Sequence, residues 1–535
     1  MVAPQLEAAV AQMEATVDHR IEALSASCVV DGRVSTAKLD ENQEAAYHLA
    51  FLAAETAAAS AVADYGTLGE AEGLLANVAV ADLLRSARHR LDGRGGEADL
   101  RGGAADAVLG AGSSPEALEA VSAMLPAGGT GPRHLSSEVT LVADTFGRFA
   151  ADQVVPRAEA VHRDNSDVPE EVIAGMAAMG AFGMSIPAEY GGFQDPDAEG
   201  MLPMVVATEA LSAGSLMAGS LLTRPEILVS ALLAGGTEDQ KRRWLPPIAA
   251  GEQMVAVAVT EPDNGSDVAA ITSTALGAGP DYVLKGTKMW ATFAGRAELL
   301  MVLARTDPDR TAGARGLSLF VVEKPAFAGH AFEMEQPGGG RLSGRAIDTI
   351  GYRGLHSFEV TFDGWKVPAD CLIGGDAGAG RGFYMQMGAF AAGRLQTAAR
   401  ALGVMEAAFN EALRYARERN VFGSPLFDYP LTRATLARMA AKTQTCRRLT
   451  YRAAVALDSP RGQSLAAMAK ALASRSAEEV TRDAMQLHGG YGYAEEYPVS
   501  RLFVDARVLS IFEGTEEILA LRVIARDLLS RVGDG

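Results

Sequence analysis

The chain contains 535 residues, a length that exceeds what one hydrophobic core supports and predicts three or four domains. Its 48% of hydrophobic and 21% of charged residues are ordinary for a globular protein. The formal net charge of −19 argues against a nucleic-acid-binding surface, because phosphate contacts require clustered lysine and arginine. A local basic pocket for a phosphorylated ligand is still compatible with this charge.

The three cysteines, Cys28, Cys371 and Cys446, are few and widely separated. This pattern argues against a disulfide framework and fits a reducing cytoplasm. The first residues lack the basic and apolar segments of a signal peptide, and no uninterrupted apolar run approaches the ~20 residues that span a bilayer. The sequence therefore predicts a cytoplasmic protein that does not bind membranes or nucleic acid.

Residues 1–134 form a predicted N-terminal helical extension. Apolar spacing predicts helices at residues 4–24, 40–64 and 68–91, and their many alanines favour close helix packing. Residues 93–114 are rich in glycine and predict a loop, after which Ser114-Pro115-Glu116 is typical of a helix start. A packing or assembly module is the simplest interpretation of the extension, and a role in shaping an active site is the alternative.

Residues 135–253 predict a second helical domain. Helical patterns open at Ser137 and again at Glu170, and residues 186–192 (IPAEYGG) predict a loop. Pro225 disfavours helical backbone at the residue before it, so we expect residues 223–226 to interrupt a helix.

Strand patterns dominate residues 254–375. They predict strands at residues 254–259, 299–304, 317–322 and 358–362, with a turn at residues 277–281. Residues 376–535 then predict long amphipathic helices at 383–419, 430–457, 463–487 and 516–529, which together favour a four-helix bundle. The predicted fold class is mainly α with an inserted all-β domain.

The strongest candidate for chemistry lies in residues 486–517 (QLHGGYGYAEEYPVSRLFVDARVLSIFEGTEE). A predicted helix ends at Gly489-Gly490, and an apolar run later leads to Glu513 just before another helix. Contact with Ile511 and Phe512 would desolvate this carboxylate and raise its pKa, as a general base for a C–H proton requires. The alternative is an ordinary carboxylate that interacts with the N-terminal dipole of the next helix.

Five motifs resemble the acyl-CoA dehydrogenase family and occur in its order over residues 136–535. They are IPAEYGG (186–192), VTEPDNGSDV (259–268), GTKMWATFAG (286–295), RERNVFG (417–423) and residues 486–517. The resemblance implies a helical domain, a β-barrel or sandwich domain and a C-terminal four-helix bundle, here preceded by the extra helical extension. It also implies an FAD-dependent homodimer or homotetramer that oxidises an acyl-CoA and passes electrons to an electron-transfer flavoprotein.

The resemblance carries FAD contacts onto two parts of the chain. In the β domain the implied contacts are Val257, Val259, Thr260, Gly265, Ser266, Trp290, Ala291 and Thr292. Without its motif, Trp290 would be interpreted as an ordinary core aromatic. In the C-terminal domain they are Gln486, Leu487, Gly489, Gly490, Thr515 and Glu517, together with Arg419 and Phe422, which would reach the FAD of a neighbouring subunit.

The implied reaction is α,β-dehydrogenation, in which Glu513 removes the C2 proton while a hydride leaves C3 for flavin N5. Some relatives place the base just before the arginine that corresponds to Arg394, but Gly393 cannot act as one. The resemblance further implies substrate contacts from Ser266, Arg394 and Gly514.

A narrower resemblance concerns the extension, residues 338–340 (GGG), 350–354 (IGYRG) and 394–400 (RLQTAAR). Together they resemble the (2S)-methylsuccinyl-CoA dehydrogenases of the ethylmalonyl-CoA pathway, which implies a short, branched dicarboxylyl thioester oxidised to mesaconyl-CoA. A carboxylate inside an apolar acyl pocket needs a cation, and Arg224 is our candidate. The alternative is a surface arginine that caps the preceding helix. Pro430 departs from the family, because many relatives carry an FAD-contacting glutamine there.

Other interpretations stay open at this stage. The substrate could be another short or branched acyl-CoA, or the fold could serve a flavin oxidase or monooxygenase. A non-catalytic scaffold is the third alternative, against which Trp290, Arg419, Gln486 and Glu513 argue. His488 lies inside an FAD motif and is interpreted as structural, and the lack of clustered His, Cys or Asp along the chain predicts no metal site.

Overall fold

A computed structural model of the chain describes residues 2–94, 97–125, 129–194 and 199–533. The chain divides into two compact units. The first comprises Met1–Phe146, Glu199–Ala213 and Arg394–Gly535, and the second comprises Gly147–Ala198 and Gly214–Gly393. The finer division into four domains, with boundaries after residues 134, 253 and 375, stays a prediction.

Helices and strands follow one another along the chain in three blocks. The helices are α1 (Val2–Cys28), α2 (Thr36–Glu41), α3 (Gln43–Tyr65), α4 (Glu70–Leu91), α5 (Gly103–Gly112), α6 (Pro115–Met124), α7 (Ser137–Phe149), α8 (Val155–Arg163), α9 (Glu170–Ala178), α10 (Leu202–Gly214), α11 (Leu216–Gly235), α12 (Glu238–Ala249), α13 (Gly382–Glu418), α14 (Pro430–Val455), α15 (Gly462–His488), α16 (Pro498–Leu509), α17 (Glu516–Ile518) and α18 (Arg526–Gly533). The strands are β1 (Val29–Val30), β2 (Arg33–Val34), β3 (Val255–Ala258), β4 (Thr274–Ala278), β5 (Asp281–Thr292), β6 (Leu299–Arg305), β7 (Leu317–Glu323), β8 (Ala331–Glu335), β9 (Arg341–Ile347), β10 (Ser357–Pro368), β11 (Asn420–Val421) and β12 (Ser424–Pro425).

The helix predictions are largely confirmed in the first unit. The predicted helices of the extension correspond to α1, α3 and α4, and α13, α14 and α15 lie within a few residues of their predicted positions. Ser114 caps α6 as expected, since its side chain accepts a hydrogen bond from the Ala117 N–H and Pro115 occupies the first turn. Helix α16 was not predicted.

The predicted loop at residues 93–114 is wrong in its second half, where α5 occupies Gly103–Gly112. Residues 95 and 96 lie outside the described residues. Glycine serves helix packing here, because a Cβ on Gly112 would come within 2.2 Å of the Asn77 carbonyl oxygen on α4. Gly112 therefore permits a close approach between α5 and α4.

A buried guanidinium joins the extension to the later helices of the first unit. Arg447 on α14 lies 2.8 Å from Glu209 of α10 and 2.7 Å from Glu406 of α13. It also donates to the hydroxyl of Thr130 at 2.8 Å, and Thr130 donates to Glu406 at 2.7 Å. Burial alone would raise the pKa of Glu209 and of Glu406, but the positive charge of Arg447 outweighs it and lowers both.

The second unit contains an eight-stranded sheet in the order β3-β6-β4-β5-β10-β9-β8, with β7 paired to β6. Strands β3 and β6 are parallel, whereas β5, β10, β9 and β8 form an antiparallel ladder. The predicted strands are confirmed as β3, β6, β7 and part of β10, and the predicted turn separates β4 from β5. Strands β4, β5, β8 and β9 were missed because glycines and charged residues obscure their alternation. The fold is mainly α with an inserted β domain, as predicted.

Helix α11 runs through Pro225, so the predicted interruption at residues 223–226 is wrong. Almost every residue from Leu216 to Leu232 is buried, and this burial outweighs the helical hydrogen bond that proline cannot make. Arg224 is only 7% exposed, and its Nε donates to the Ser220 carbonyl oxygen at 3.3 Å. The interpretation of Arg224 as a surface residue is therefore wrong, although it does contact a carbonyl one turn earlier.

By length and apolar composition, α11 would also suffice to cross a membrane, the one such helix in the described part of the chain. Its most apolar window is 89% buried inside the protein. A core helix of a soluble protein has the same properties.

Replacing Arg447 should lower the free energy of unfolding, because its carboxylate partners are buried. Arg447→Leu removes the cation nearest to Glu209 and Glu406 and leaves Glu209 with the longer, 3.4 Å ion pair to Arg133, so we expect a loss of about 3–5 kcal/mol in the free energy of unfolding. Arg438→Leu on the same helix is the control, because Arg438 forms only a partly exposed 3.7 Å ion pair with Asp82 and should cost less than about 1 kcal/mol. Urea and thermal unfolding measure both variants; equal losses would contradict the role of Arg447.

Candidate active site

Glu513 lies in a short loop of the first unit between α16 and α17. Its φ of 55° and the φ of 90° at Gly514 place two consecutive residues in the left-handed region, a conformation that is costly for a glutamate. Thr515 ends the loop by capping α17, since its hydroxyl accepts a hydrogen bond from the Ile518 N–H. Glu513 is half-buried, and Ile511 beside it is half exposed.

Basic side chains surround this loop within the first unit. Arg394 at the start of the unit's part of α13 is buried, and burial lowers its pKa while the charge of Glu513 opposes that shift. Arg400, six residues later, is also buried and lies 4.7 Å from the ring centre of Phe512. The loop that carries Glu513 is thus held against α13 by a cation over an aromatic ring.

Lys470 is the functional candidate that sequence reasoning missed. It is fully buried on α15, and its Nζ donates to the Gly514 carbonyl oxygen at 2.7 Å. Burial lowers the pKa of Lys470 to about 7, although the negative charges of Glu513 and Glu516 oppose the shift. The available signal was a single lysine in an alanine-rich apolar stretch of α15.

The extension contacts the helix that follows Glu513. Tyr47 on α3 donates to the Glu516 carboxylate at 3.1 Å and accepts from Arg475 at 2.6 Å. Arg475 also pairs with Glu516 at 2.8 Å and lies 4.1 Å from the ring centre of Phe51. These contacts favour the alternative in which residues 1–134 help to shape the active site.

In the second unit the structure brings two predicted FAD segments together. The Met289 N–H donates to the Thr260 carbonyl oxygen at 2.8 Å. Behind them, Lys288 pairs with Glu261 at 2.9 Å and donates to the Val259 carbonyl oxygen at 3.1 Å. Burial would raise the pKa of Glu261, but Lys288 and nearby hydrogen bonds lower it to about 2. This buried ion pair, which sequence reasoning also missed, fixes the spacing of the two segments.

Trp290 is 53% exposed and has a φ of 60°, so its interpretation as an ordinary core aromatic is wrong. An exposed indole on a strained backbone is unfavourable unless a ligand covers it. The remaining predicted contacts of this unit divide by exposure: Val259, Ala291 and Thr292 are buried, Val257 and Thr260 are partly exposed, and Gly265 and Ser266 are exposed.

In the first unit, a two-residue hairpin formed by β11 and β12 presents Phe422 at its tip. The ring is fully exposed, and φ is 48°. Arg419 at the base of the hairpin is exposed and lies 5.9 Å from the ring centre of Tyr491. The end of α15 lies on the same unit, with Gln486, Gly489 and Gly490 exposed and Leu487 partly exposed. Glu517 is exposed on α17.

His488 is buried beside these residues and favours the structural interpretation. Its Nδ1 lies 2.8 Å from the Ala484 carbonyl oxygen, and its ring stacks on Tyr415 with 4.1 Å between centres. Burial lowers its pKa.

These features fit FAD. In the second unit the exposed ring of Trp290 offers a stacking surface, and in the first unit the ring of Phe422 offers another. At Gly489 and Gly490 a Cβ would meet no atom within 4 Å, which leaves the backbone open to a bulky ligand. Arg419 adds a cation suited to a pyrophosphate.

Comparison with known proteins agrees with this geometry. Family models of the acyl-CoA dehydrogenase N-terminal, middle and C-terminal domains match residues 136–252, 256–365 and 380–529. A (2S)-methylsuccinyl-CoA dehydrogenase of Cereibacter sphaeroides is 38% identical over 97% of both chains. A glutaryl-CoA dehydrogenase in complex with glutaryl-CoA has 32% identity and a TM-score of 0.67, covering 75% of this chain and 97% of its own.

A structure described as an electron transferring flavoprotein of Acidaminococcus fermentans is also similar, with 32% identity, a TM-score of 0.66 and coverage of 75% of this chain and 99% of its own. The chain belongs to the acyl-CoA dehydrogenase family. It is an FAD-dependent oxidoreductase that acts on acyl-CoA.

The lowered pKa of Lys470 predicts a pH-dependent effect of Lys470→Met on stability. Below pH 7 the folded protein must hold Lys470 as a buried ammonium group, so this lysine destabilises the folded state most in that range. Between about pH 7 and pH 10.5 the folded state releases the proton before the unfolded state does, and the cost shrinks as pH rises. The Tm difference, variant minus wild type, should therefore be more positive at pH 6 than at pH 9.

The exposed Lys285→Met variant supplies the control, with a Tm difference that stays constant over the same pH range. A difference for Lys470→Met that is also constant with pH would show that Lys470 titrates normally.

Proposed function

We propose that the protein oxidises (2S)-methylsuccinyl-CoA to mesaconyl-CoA, with Glu513 as the base that removes the C2 proton. The observation that carries this proposal is the similarity to a methylsuccinyl-CoA dehydrogenase over 97% of the chain, because it includes the N-terminal extension. The glutaryl-CoA dehydrogenase structure leaves a quarter of the chain unmatched. The contacts of Tyr47 and Arg475 with Glu516 give that extension a physical connection to the site.

The loop geometry suits Glu513 to act as the base. Left-handed backbone at Glu513 and Gly514, the Thr515 cap and the hydrogen bond from Lys470 fix the direction in which the carboxylate leaves the loop. Arg394 and Lys470 interact electrostatically with Glu513, so the carboxylate is held near basic groups before it takes the proton. Such preorganisation reduces the reorganisation needed during reaction.

The bound FAD supplies the hydride acceptor, flavin N5, for the hydrogen at C3. The residues that would hold it are those of the β-domain segments around Thr260 and Trp290 and of the C-terminal positions Arg419, Phe422, residues 486–490, Thr515 and Glu517. The backbone N–H of Glu513 would donate to the thioester oxygen, and Ser266, Arg394 and Gly514 would contact the acyl-CoA.

Arg224 is our candidate for binding the substrate's free carboxylate. It is a buried cation within an apolar helix, and the attraction between a cation and an anion is strong in such low-dielectric surroundings. A dicarboxylyl thioester would bring such an anion, whereas butyryl-CoA would not.

Three further proposals concern the setting of the enzyme. An electron-transfer flavoprotein is the acceptor, in keeping with the similar structure described by that name. The exposed apolar side chains of Phe422 and Leu431 support assembly into a homodimer or homotetramer. A cytoplasmic location agrees with the buried state of all three cysteines.

The variant Glu513→Gln should retain FAD but lose proton abstraction. We expect the rate of flavin bleaching by methylsuccinyl-CoA under anaerobic conditions to fall by at least about 100-fold, a typical contribution of a general base. Glu495→Gln, an exposed acid in the same part of the chain, is the matched control and should bleach at the wild-type rate. Full-speed bleaching by Glu513→Gln would rule out this residue as the base.

The substrate assignment is tested with methylsuccinyl-CoA, isobutyryl-CoA and butyryl-CoA. Wild-type enzyme should have its highest kcat/KM with methylsuccinyl-CoA. Arg224→Met keeps a similar volume but removes the cation, and should cost about 2–5 kcal/mol of transition-state binding with that substrate alone. Arg224→Lys should recover part of the loss.

Arg310→Met, at an exposed arginine of the same unit, is the control and should change none of the three values. Equal losses for Arg224→Met on methylsuccinyl-CoA and butyryl-CoA would exclude a carboxylate-binding role. A wild-type preference for isobutyryl-CoA would reject the substrate assignment while leaving the reaction class intact.

A further inference from the structure

Three metal-ligating side chains that are distant in sequence converge in the second unit. Asp167 lies between α8 and α9, His330 just before β8, and His356 just before β10. Their ligand atoms all lie within 4.8 Å of one another. The sequence analysis predicted no metal site because His, Cys and Asp residues do not cluster along the chain. These three residues are far apart in sequence and come together only in the folded protein.

The contacts are centred on one nitrogen atom. Nε2 of His356 lies 3.1 Å from a carboxylate oxygen of Asp167 and 3.2 Å from Nε2 of His330. An imidazole nitrogen has one position in its plane, which either donates or accepts a single hydrogen bond. In a neutral ring, His356 Nε2 can therefore form a hydrogen bond with Asp167 or with His330, but not with both. A cation among the three ligand atoms would satisfy all of them at once.

Two of the three ligand-atom separations are close to those around a tetrahedral ion. Zinc bonds of about 2.0–2.1 Å to nitrogen and oxygen place neighbouring ligand atoms about 3.3 Å apart. The observed separations of 3.1 and 3.2 Å approach this value. The side chain of His356 is 5% exposed while that of Asp167 is 42% exposed, so ions can enter from one side and water can complete the coordination.

Backbone hydrogen bonds hold the three ligands in place. The Ala346 N–H donates to the carbonyl oxygen of His330, and the Phe293 N–H donates to that of His356, both at 2.8 Å. The second carboxylate oxygen of Asp167 accepts from the Gly329 N–H at 2.6 Å. Such support of ligand orientation is typical of metal sites.

We propose that Asp167, His330 and His356 bind a divalent transition metal ion of the zinc class. Two imidazoles and one carboxylate are a ligand set suited to such ions. The ion joins the segment before α9 to the starts of β8 and β10. Because the His356 carbonyl oxygen holds Phe293, the ion also stabilises the end of the strand that carries Trp290, and its role is structural.

Zinc binding to the full-length holoenzyme tests this site. After dialysis against a chelator, titration with ZnCl2 should show one saturable equivalent per chain by calorimetry and elemental analysis, and should raise the apparent Tm. His330→Ala and Asp167→Asn should each lose that equivalent and the Tm increase. Asp167→Asn retains an acceptor for the Gly329 N–H, and His330 is exposed, so both variants should fold without the ion.

His89→Ala, at an exposed histidine of the first unit, is the control and should bind zinc as the wild type does. Absence of saturable binding by the wild type would overturn the proposal. The same stoichiometry and affinity in wild type, His330→Ala and Asp167→Asn would overturn it equally, because the ion would then bind elsewhere.

Discussion

A charge removed from water must be paired, and this constraint shapes the first unit. Arg447 satisfies it with two carboxylates and a threonine hydroxyl drawn from three separate parts of the chain. The same rule applies around Glu513, where Arg394 and Lys470 are buried near its carboxylate and Arg400 lies against Phe512. Buried basic groups with nearby acids or aromatic rings therefore occur at two places in the first unit.

Much of the fold could be predicted because its signals are local. Ser114 and Pro115 start a helix through short-range hydrogen bonding, and Gly489 ends α15 with a backbone conformation that only glycine adopts easily. The helix start just after Glu513 was also predicted, and the structure shows that Thr515 caps it.

The remaining features depend on contacts between distant residues. The glycines of α5 predicted a loop, because the close contact of Gly112 with Asn77 on α4 cannot be seen in the sequence. Pro225 predicted a break in α11, because the burial of that helix is likewise known only from the structure. Lys470 and Glu261 meet their partners only in the folded chain. The half-buried state of Glu513 likewise follows from how its loop packs, which apolar neighbours in sequence do not determine.

Residues 1–134 contribute specific hydrogen bonds to the first unit. Tyr47 shares Glu516 with Arg475, and Thr130 shares Arg447 with Glu406, so α3 and the segment before α7 complete hydrogen-bond networks that begin in the C-terminal helices. Further arginines of α14 continue this pattern, since Arg448 lies 4.3 Å from the ring centre of Tyr65 and Arg452 donates to Ser60.

These contacts of residues 1–134 with the C-terminal helices predict what would follow from removing the N-terminal extension. A version that starts at residue 136 would keep every segment that the family models match. It would nevertheless uncover the arginines and alanines of α14 and α15 that now face α3, and would strip Arg447 of its hydroxyl partner. We therefore expect such a shortened chain to be less soluble than the full chain, because it would expose apolar surface and arginine side chains that residues 1–134 now cover.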